Sequence, residues 1–381
     1  MNSFSTTIDF IKNSFGNRDF TALHEPVFFG NEKNYLIDAI DSTFVSSVGN
    51  YVNQFEIEFA KTTSTKKAIA VVNGTAALQV GLRLCGVKSG DEVITQALTF
   101  VATANAISYL NASPVFVDVD LETMGLSPSS LDDFLSEYGE LKEDGTYNKK
   151  TGKKISACVP MHTFGFMCEI DEIVRICNKW KIAVVEDAAE ALGSKFKDNE
   201  AGSFGKVSAF SFNGNKIITA GGGGSIVTND LDIGDKAKYL TTTAKIPHKW
   251  EYAHDEIGYN YRMPNINAAL ICAQLENLNK IKENKAQLYS EYSYFFNDKG
   301  LELVQIPKNT DWNYWLMSLK FNDKKERDLF LSETNSNAIM TRPIWQLMYR
   351  LPMYEDCQRD AQINAEFLEE RIVNIPSGAR F

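Results

Sequence analysis

No stretch of the sequence approaches the ~20 consecutive apolar residues that a membrane-spanning helix requires. The first ten residues, Met1-Asn-Ser-Phe-Ser-Thr-Thr-Ile-Asp-Phe10, lack the basic start and apolar stretch of a leader. Cysteine is scarce and scattered: six in 381 residues, at positions 85, 158, 168, 177, 272 and 357, with no pair at metal-ligand or redox-motif spacing. Cys158 and Cys177 lie in or beside apolar segments and read as buried thiols, which points to a reducing cytoplasm. The four histidines form no metal pattern, so no metal is expected. Positive charge is in deficit, 39 Lys and Arg against 49 Asp and Glu, a net charge of -10 that disfavours nucleic acid and anionic membrane surfaces as partners. A negatively charged substrate therefore needs a local cluster of donors. Apolar residues are plentiful at 44%, enough for one large domain over residues 1–260, with an N-terminal helical segment, and a smaller one over 261–381.

From about residue 67 to 230, short apolar runs alternate with helical stretches. Ala68-Ile-Ala-Val-Val72, Glu92-Val-Ile-Thr95 and Pro114-Val-Phe-Val-Asp-Val119 read as strands, as do 155–160, 182–186, 207–212 and 225–228. That alternation predicts an α/β fold with a mixed, mostly parallel sheet covered on both faces. Residues 127–138 predict a helix and 139–154 an exposed polar loop. Pro264 opens a long helix to about residue 285, and a strand over 315–321 and a helix near 361–371 complete a smaller α+β C-terminal domain. Helical patterning over 35–44 and 55–63 predicts that the first 60 residues wrap onto the larger domain.

The chemistry gathers where strands end. Lys216 sits in Ser211-Phe-Asn-Gly-Asn-Lys-Ile-Ile-Thr-Ala-Gly-Gly-Gly-Gly-Ser225, and Asp187 follows Ala183-Val-Val-Glu186. A lysine ahead of a glycine run, paired with a carboxylate at the end of a buried strand, is what a pyridoxal phosphate enzyme needs. The amine forms a Schiff base with the cofactor aldehyde, and the carboxylate holds the pyridine nitrogen protonated so that the ring accepts electrons. Asn73-Gly-Thr-Ala-Ala77 joins a strand to a helix start, where free N–H groups suit a phosphate; alone, it is also what an ordinary turn and cap look like. The Ser211 hydroxyl is placed to bond the same phosphate. Four consecutive glycines, 221–224, are expected where backbone passes close to another group. Phe100 precedes a helix and either packs in the core or stacks on a pyridine ring. His162 follows a strand and is either a pocket donor or a satisfied polar group.

Six ordered motifs join these residues: Asn73-Gly-Thr-Ala-Ala-Leu, Gly90-Asp-Glu-Val-Ile with Thr99-Phe-Val-Ala-Thr-Ala-Asn, Val117-Asp-Val-Asp, Glu186-Asp-Ala-Ala-Glu, Ser211-Phe-Asn-Gly-Asn-Lys and Gly258-Tyr-Asn-Tyr-Arg-Met. In that order they resemble the DegT/DnrJ/EryC1/StrS family, pyridoxal phosphate-dependent nucleotide-sugar aminotransferases of the aspartate aminotransferase fold (fold type I), over residues 29–378. The resemblance implies that Lys216 is the Schiff-base lysine and proton shuttle, and that Asp187 pairs with the ring nitrogen. It implies that Phe100 stacks on the ring and that Gly74, Thr75 and Ser211 hold the phosphate. Asn260 is similar to the asparagine that reaches a neighbouring subunit's phosphate, implying a homodimer with shared active sites. Glu190 occupies a place often held by glutamine, near the cofactor's phenolic oxygen. L-Glutamate is the implied amino donor, and surface polysaccharide or nonulosonic acid biosynthesis the implied setting. Asn213, where many members carry histidine, makes the Asn-Gly-Asn-Lys version similar to members that aminate 4-keto-6-deoxy derivatives of UDP-N-acetylglucosamine on the way to bacillosamine and legionaminic acid. Thr341-Arg-Pro-Ile-Trp345 with Leu351-Pro-Met-Tyr354 has the same look, although Tyr349 replaces an expected histidine. Arg342 and Trp345 are thereby candidates for substrate binding, with His162. Arg342 shares the diphosphate candidacy with Lys245, Lys249 and Arg262, and Trp345 and Tyr354 either line a sugar or uracil site or pack the small domain. Related sugar dehydratases carry histidine in place of the Schiff-base lysine, so lysine at 216 points away from deoxygenation. A non-catalytic regulator on the same fold is the remaining alternative.

Overall fold

The strands order themselves around one twisted sheet. In the computed structural model, which describes residues 4–381, it has nine strands. The first three residues of the segment read for a leader lie outside the described ones. Seven strands run in the order Lys67–Val71, Gly224–Thr228, Val207–Ser211, Ala183–Asp187, Lys154–Val159, Glu92–Gln96, Ser113–Val117. Only Gly224–Thr228 runs against its two neighbours; the remaining pairs on this path are parallel. The predicted mixed, mostly parallel sheet is what forms.

Both faces are buried, which is why the strands read as continuous apolar runs. Alternate residues serve opposite cores: Ala68, Val184, Phe210 and Val227 face one apolar cluster, while Ile69, Val185, Ala209 and Ile226 face the other. Helix Gly74–Leu84 covers the second face, and helices Asn50–Thr62 and Ile170–Lys179 cover the first. A second, antiparallel sheet, Glu302–Leu303, Ser318–Lys320, Ile372–Asn374 and Arg342–Pro343, lies wholly within the C-terminal third.

Two expectations are corrected. The polar stretch 139–154 is not a loop: Gly139–Lys142 and Gly145–Asn148 form a hairpin that extends the large sheet. Its anchor is Asn148, buried, whose Nδ2 donates to Glu92 Oε2 (2.7 Å) and Gln358 Oε1 (2.9 Å). The helix opened by Pro264 stops earlier than expected. It spans Asn265–Leu275, and a separate helix runs Leu278–Lys299. The first packs against helices Glu32–Asp41 and Asn50–Thr62, so the N-terminal segment does fold back onto the body of the protein.

No helix among the described residues is long and apolar enough to cross a membrane, and none of their His, Cys, Asp and Glu side chains group as a metal site. Cys158, Cys168, Cys177 and Cys272 are buried thiols.

Candidate active site

The parallel strands end on one side of the sheet, and a cavity of about 680 Å³ opens there. Ligands gather at this edge because the chain leaves each strand in a loop, freeing backbone groups and side chains together. Gly74, Thr75, Phe100, Asp187, Glu190, Ser211, Lys216, Arg342 and Trp345 all line it.

At one end, helix Gly74–Leu84 points its N-terminus into the cavity. Asn73 caps it, its Oδ1 accepting from Ala76 N–H (2.8 Å). The N–H groups of Gly74 and Thr75 find no acceptor among the described residues, so two donors and the positive end of the helix dipole remain for an anion. Close packing dictates the glycines. A Cβ on Gly74 would lie 2.8 Å from the Ser211 Cβ, and one on Gly224 would lie 2.5 Å from the carbonyl carbon of Asn73. Gly224 therefore lets its strand pass directly behind the helix start, keeping Ser211 beside it, whereas a Cβ on Gly221 or Gly222 would meet nothing within 4 Å, so close approach does not account for the whole run.

Asp187 ends its strand on the cavity floor, and its backbone is held from both sides. Its N–H donates to Pro160 O (2.9 Å), and its C=O accepts from His162 N–H (3.2 Å). Its carboxylate accepts from the Thr103 hydroxyl (2.7 Å) and Ala189 N–H (3.2 Å). Burial pushes this carboxyl above its ordinary value, while Thr103, Ala189 and Lys216 pull it part of the way back. Phe100, at the N-cap of helix Val101–Ser108, is 52% exposed on the cavity side, so it is no core residue.

The Lys216 side chain is only 13% exposed. Its Nζ lies 4.1 Å from the centre of the Trp315 ring and 3.3 Å from Glu190 Oε1. Trp315 is fixed by its indole N–H, which donates to Asn215 O (2.8 Å), and by its own N–H, which donates to Asn313 Oδ1 (3.0 Å). Asn313, fully buried, also donates to the carbonyls of Glu190 (2.8 Å) and Leu192 (3.0 Å), tying the two walls together. The sequence reading missed Trp315 and Asn313. The one local sign is Asn313-Tyr-Trp315 itself, two large aromatics after an amide in a turn where Tyr314 takes a φ of 57°.

His162 is a correction. It does not line the cavity; it is fully buried behind the Asp187 strand, with Nδ1 accepting from Cys168 N–H (3.2 Å) and Nε2 3.1 Å from Glu186 Oε2. With Nδ1 occupied as an acceptor, the proton sits on Nε2 and is donated to Glu186. Burial pushes the Glu186 carboxyl up, but His162 and the N–H groups of Gly205 and Gly202 more than offset this and hold it below its usual range. Tyr354 also turns away from the cavity: it is buried, its hydroxyl donates to Asn105 Oδ1 (2.6 Å), and its ring meets Phe116 edge-on, so it packs against the large sheet rather than lining a sugar or uracil site. Of the basic candidates Lys245, Lys249, Arg262 and Arg342, the fold brings Arg342 to this cavity. Its Nη1 donates to Asn335 Oδ1 (3.0 Å) and Thr341 O (2.8 Å). Trp345 stands beside Phe164, ring centres 4.9 Å apart. Asn260 is exposed and away from its own chain's cavity, accepting from Arg262 Nε (3.0 Å).

The donor set fits pyridoxal phosphate. An anion-ready helix start, an exposed aromatic face, a buried carboxylate and an amine are the groups that would suit the cofactor's phosphate, ring, ring nitrogen and aldehyde respectively. A family model described as the DegT/DnrJ/EryC1/StrS aminotransferase family matches residues 29–381. A GDP-perosamine synthase of Escherichia coli O157:H7 is 37% identical over 358 residues, 93% of this chain and 92% of that protein. One from Vibrio cholerae is 35% identical over 358 residues, 93% of each. The solved structure of the aminotransferase from Psychrobacter cryohalolentis gives a TM-score of 0.80 at 27% identity, covering 94% of this chain and 93% of that one. Aminotransferase TlmJ from Streptoalloteichus hindustanus gives 0.84 at 22% identity over 94% and 93%, a likeness of fold alone. A match through nearly the whole length, on a sheet that ends in this cavity, makes the chain a member of the DegT/DnrJ/EryC1/StrS family of pyridoxal phosphate-dependent aminotransferases.

Proposed function

We propose that the chain, in the cytoplasm, transfers an amino group from L-glutamate to a nucleotide-linked keto-sugar, a UDP-4-keto-6-deoxy-N-acetylhexosamine. The observation that carries the reading is the meeting of Lys216 and Asp187 in one cavity with the start of helix Gly74–Leu84, where the Gly74 and Thr75 N–H groups remain free. Pyridoxal phosphate, when bound, supplies the carbonyl that exchanges amines and a ring that takes up the electron pair left at the donor's α-carbon. Gly74, Thr75 and Ser211 hold its phosphate end, and Phe100 covers one face of its ring. Asp187 sets its carboxylate against the ring nitrogen. Lys216 Nζ takes the proton from the donor's α-carbon and gives one back when the steps run in reverse for the sugar. Nζ itself, between the Trp315 ring and Glu190, is held at the cavity wall rather than in solvent. Arg342 and Trp345, on the wall formed by the small sheet, are the substrate-side groups: the guanidinium meets phosphate charge, and the indole meets an apolar ring or sugar face.

A second reading of the nucleotide has its own support. Two relatives that align along nearly the whole chain are GDP-perosamine synthases, which puts a GDP-linked sugar beside the UDP-linked one. The test is a panel of UDP- and GDP-linked keto-sugars offered with glutamate, with product configuration read by NMR. An amino-sugar is expected from one nucleotide series. Formation of a deoxy-sugar without amine, or no product across the panel, removes the proposal.

The reading includes a homodimer in which Asn260 of one copy serves the other's phosphate site. Its support is the position of Asn260, exposed and away from its own cavity, together with exposed apolar side chains such as Phe28, Phe44 and Val48. Light scattering is expected to return twice the 42.7 kDa chain mass; a monomer at micromolar concentration rules this arrangement out.

A further inference from the structure

Lys216 has to be neutral to attack a carbonyl or to take a proton from carbon, so an ammonium there must first give up a proton. The Trp315 face 4.1 Å from Nζ attracts a cation, and the Glu190 carboxylate is 3.3 Å away. A path for the proton must therefore be local. Besides Glu190, three ionisable groups lie on this side of the cavity. Asp187 is part of the same field, but its oxygens are occupied by Thr103 and Ala189. His24, from the N-terminal segment, has both ring nitrogens buried without a partner, and burial with the charges of Lys285 and Lys216 pushes it well below its ordinary value, so it takes no proton there. Lys285, beyond Trp315, is a donor to main-chain carbonyls.

Glu190 is different. It is 4% exposed, one oxygen accepts from Phe164 N–H (2.9 Å), and the other faces Lys216 alone. Burial pushes its carboxyl above the ordinary value and Asp187 adds to this, while Lys216 and the Phe164 N–H pull it back. In a site this dry, two charged partners each carry a desolvation cost that a neutral amine and a neutral acid do not, so the proton can sit on either side.

We propose that Glu190 is the proton acceptor of Lys216: an N–H bond of the ammonium breaks, an O–H bond forms on Oε1, and the pair becomes neutral amine and carboxylic acid within the cavity. Glu190 touches the reacting nitrogen and is thereby a catalytic residue; the inference rests on the reading of Lys216 given above. The Phe164 N–H holds the carboxyl in place, so the proton moves without a side-chain swing.

The test uses the full-length protein freed of cofactor. Pyridoxal phosphate is added over roughly pH 6–9, uptake is followed by visible absorbance, and samples are trapped with borohydride and mapped. Wild type is expected to load at a rate nearly independent of pH. Glu190→Gln keeps the shape and the acceptor for Phe164 N–H but takes no proton. Its uptake is expected to fall about a hundredfold at neutral pH and to climb about tenfold per pH unit, since Lys216 then depends on solvent base. A Glu190→Gln profile equal to wild type overturns the proposal, as does slower loading with an unchanged pH slope, the mark of a purely structural residue. A wild-type rate that itself climbs about tenfold per pH unit overturns it with no variant needed. Trapped label persisting at another side chain in Lys216→Ala is a separate result, which removes the reading of Lys216 and this inference together.

Discussion

Lys216→Ala is expected to lower amination by about ten-thousandfold or more, with the fold intact. The side chain lines the cavity, so its removal opens space there rather than in the apolar core. What disappears is the one amine placed between Trp315 and Glu190. Its loss also strips Glu190 of its counter-charge, and burial then drives that carboxyl further toward the protonated form. Lys216→Arg separates charge from chemistry. A guanidinium keeps the cation on the Trp315 face but does not give up a proton at working pH, so it should fail about as badly as alanine. Amino-sugar formation with glutamate, measured alongside circular dichroism to check folding, decides the matter. Either variant retaining more than about a tenth of wild-type turnover would remove Lys216 from the reaction.

The parts of this site that were legible in the sequence share a property: each is local. Lys216, Asp187, Ser211, Gly74 and Thr75 all stand within a few residues of the end of an apolar run, and a strand end in a parallel sheet is where side chains reach a common edge. The same signature misplaced His162. It too follows a strand, but its ring turns back beneath the sheet because Glu186 offers a buried acceptor there and Cys168 N–H fills the other nitrogen. Nothing in Pro160-Met-His-Thr-Phe-Gly165 distinguishes the two directions. Trp315 and Asn313 were unreadable for the opposite reason. They approach the lysine from about a hundred residues away, and tertiary bonds to Asn215, Glu190, Leu192 and Ser194 place them. The hairpin over 139–148 was hidden by composition: its residues are polar, and one buried amide, Asn148, pins it to Glu92 more than fifty positions earlier. The break after Leu275 lacks a proline or glycine to announce it. Strand pattern and glycine spacing thus disclosed the frame, while the wall that closes on the lysine came from long-range pairing.

Asp187→Asn should produce a crossed result, a lower rate with a more stable cofactor-free protein. The carboxylate is buried and its oxygens accept from Thr103 and Ala189, bonds that the amide oxygen of asparagine takes over in part. The charge is what changes. Because burial raises the folded-state value of this acid, the folded chain holds the proton more tightly than the unfolded chain does. The stability tied to it is therefore fully present below the unfolded value, near about 4, and is lost as pH rises through the raised folded value. Asparagine has no proton to lose, so its advantage over wild type should be absent at low pH and appear above that window, read as a higher unfolding midpoint near neutrality. Catalysis responds in the other direction. Without a negative charge against the ring nitrogen, the ring is a poorer home for the donor's electron pair, and amination should fall roughly a thousandfold. Two curves check this: unfolding midpoint against pH for the cofactor-free proteins, and turnover with glutamate for the loaded ones. An asparagine variant that turns over like wild type, or whose stability advantage does not grow as pH rises, would mean that Asp187 supplies only shape to the cavity floor and that the charge at this position does no chemistry.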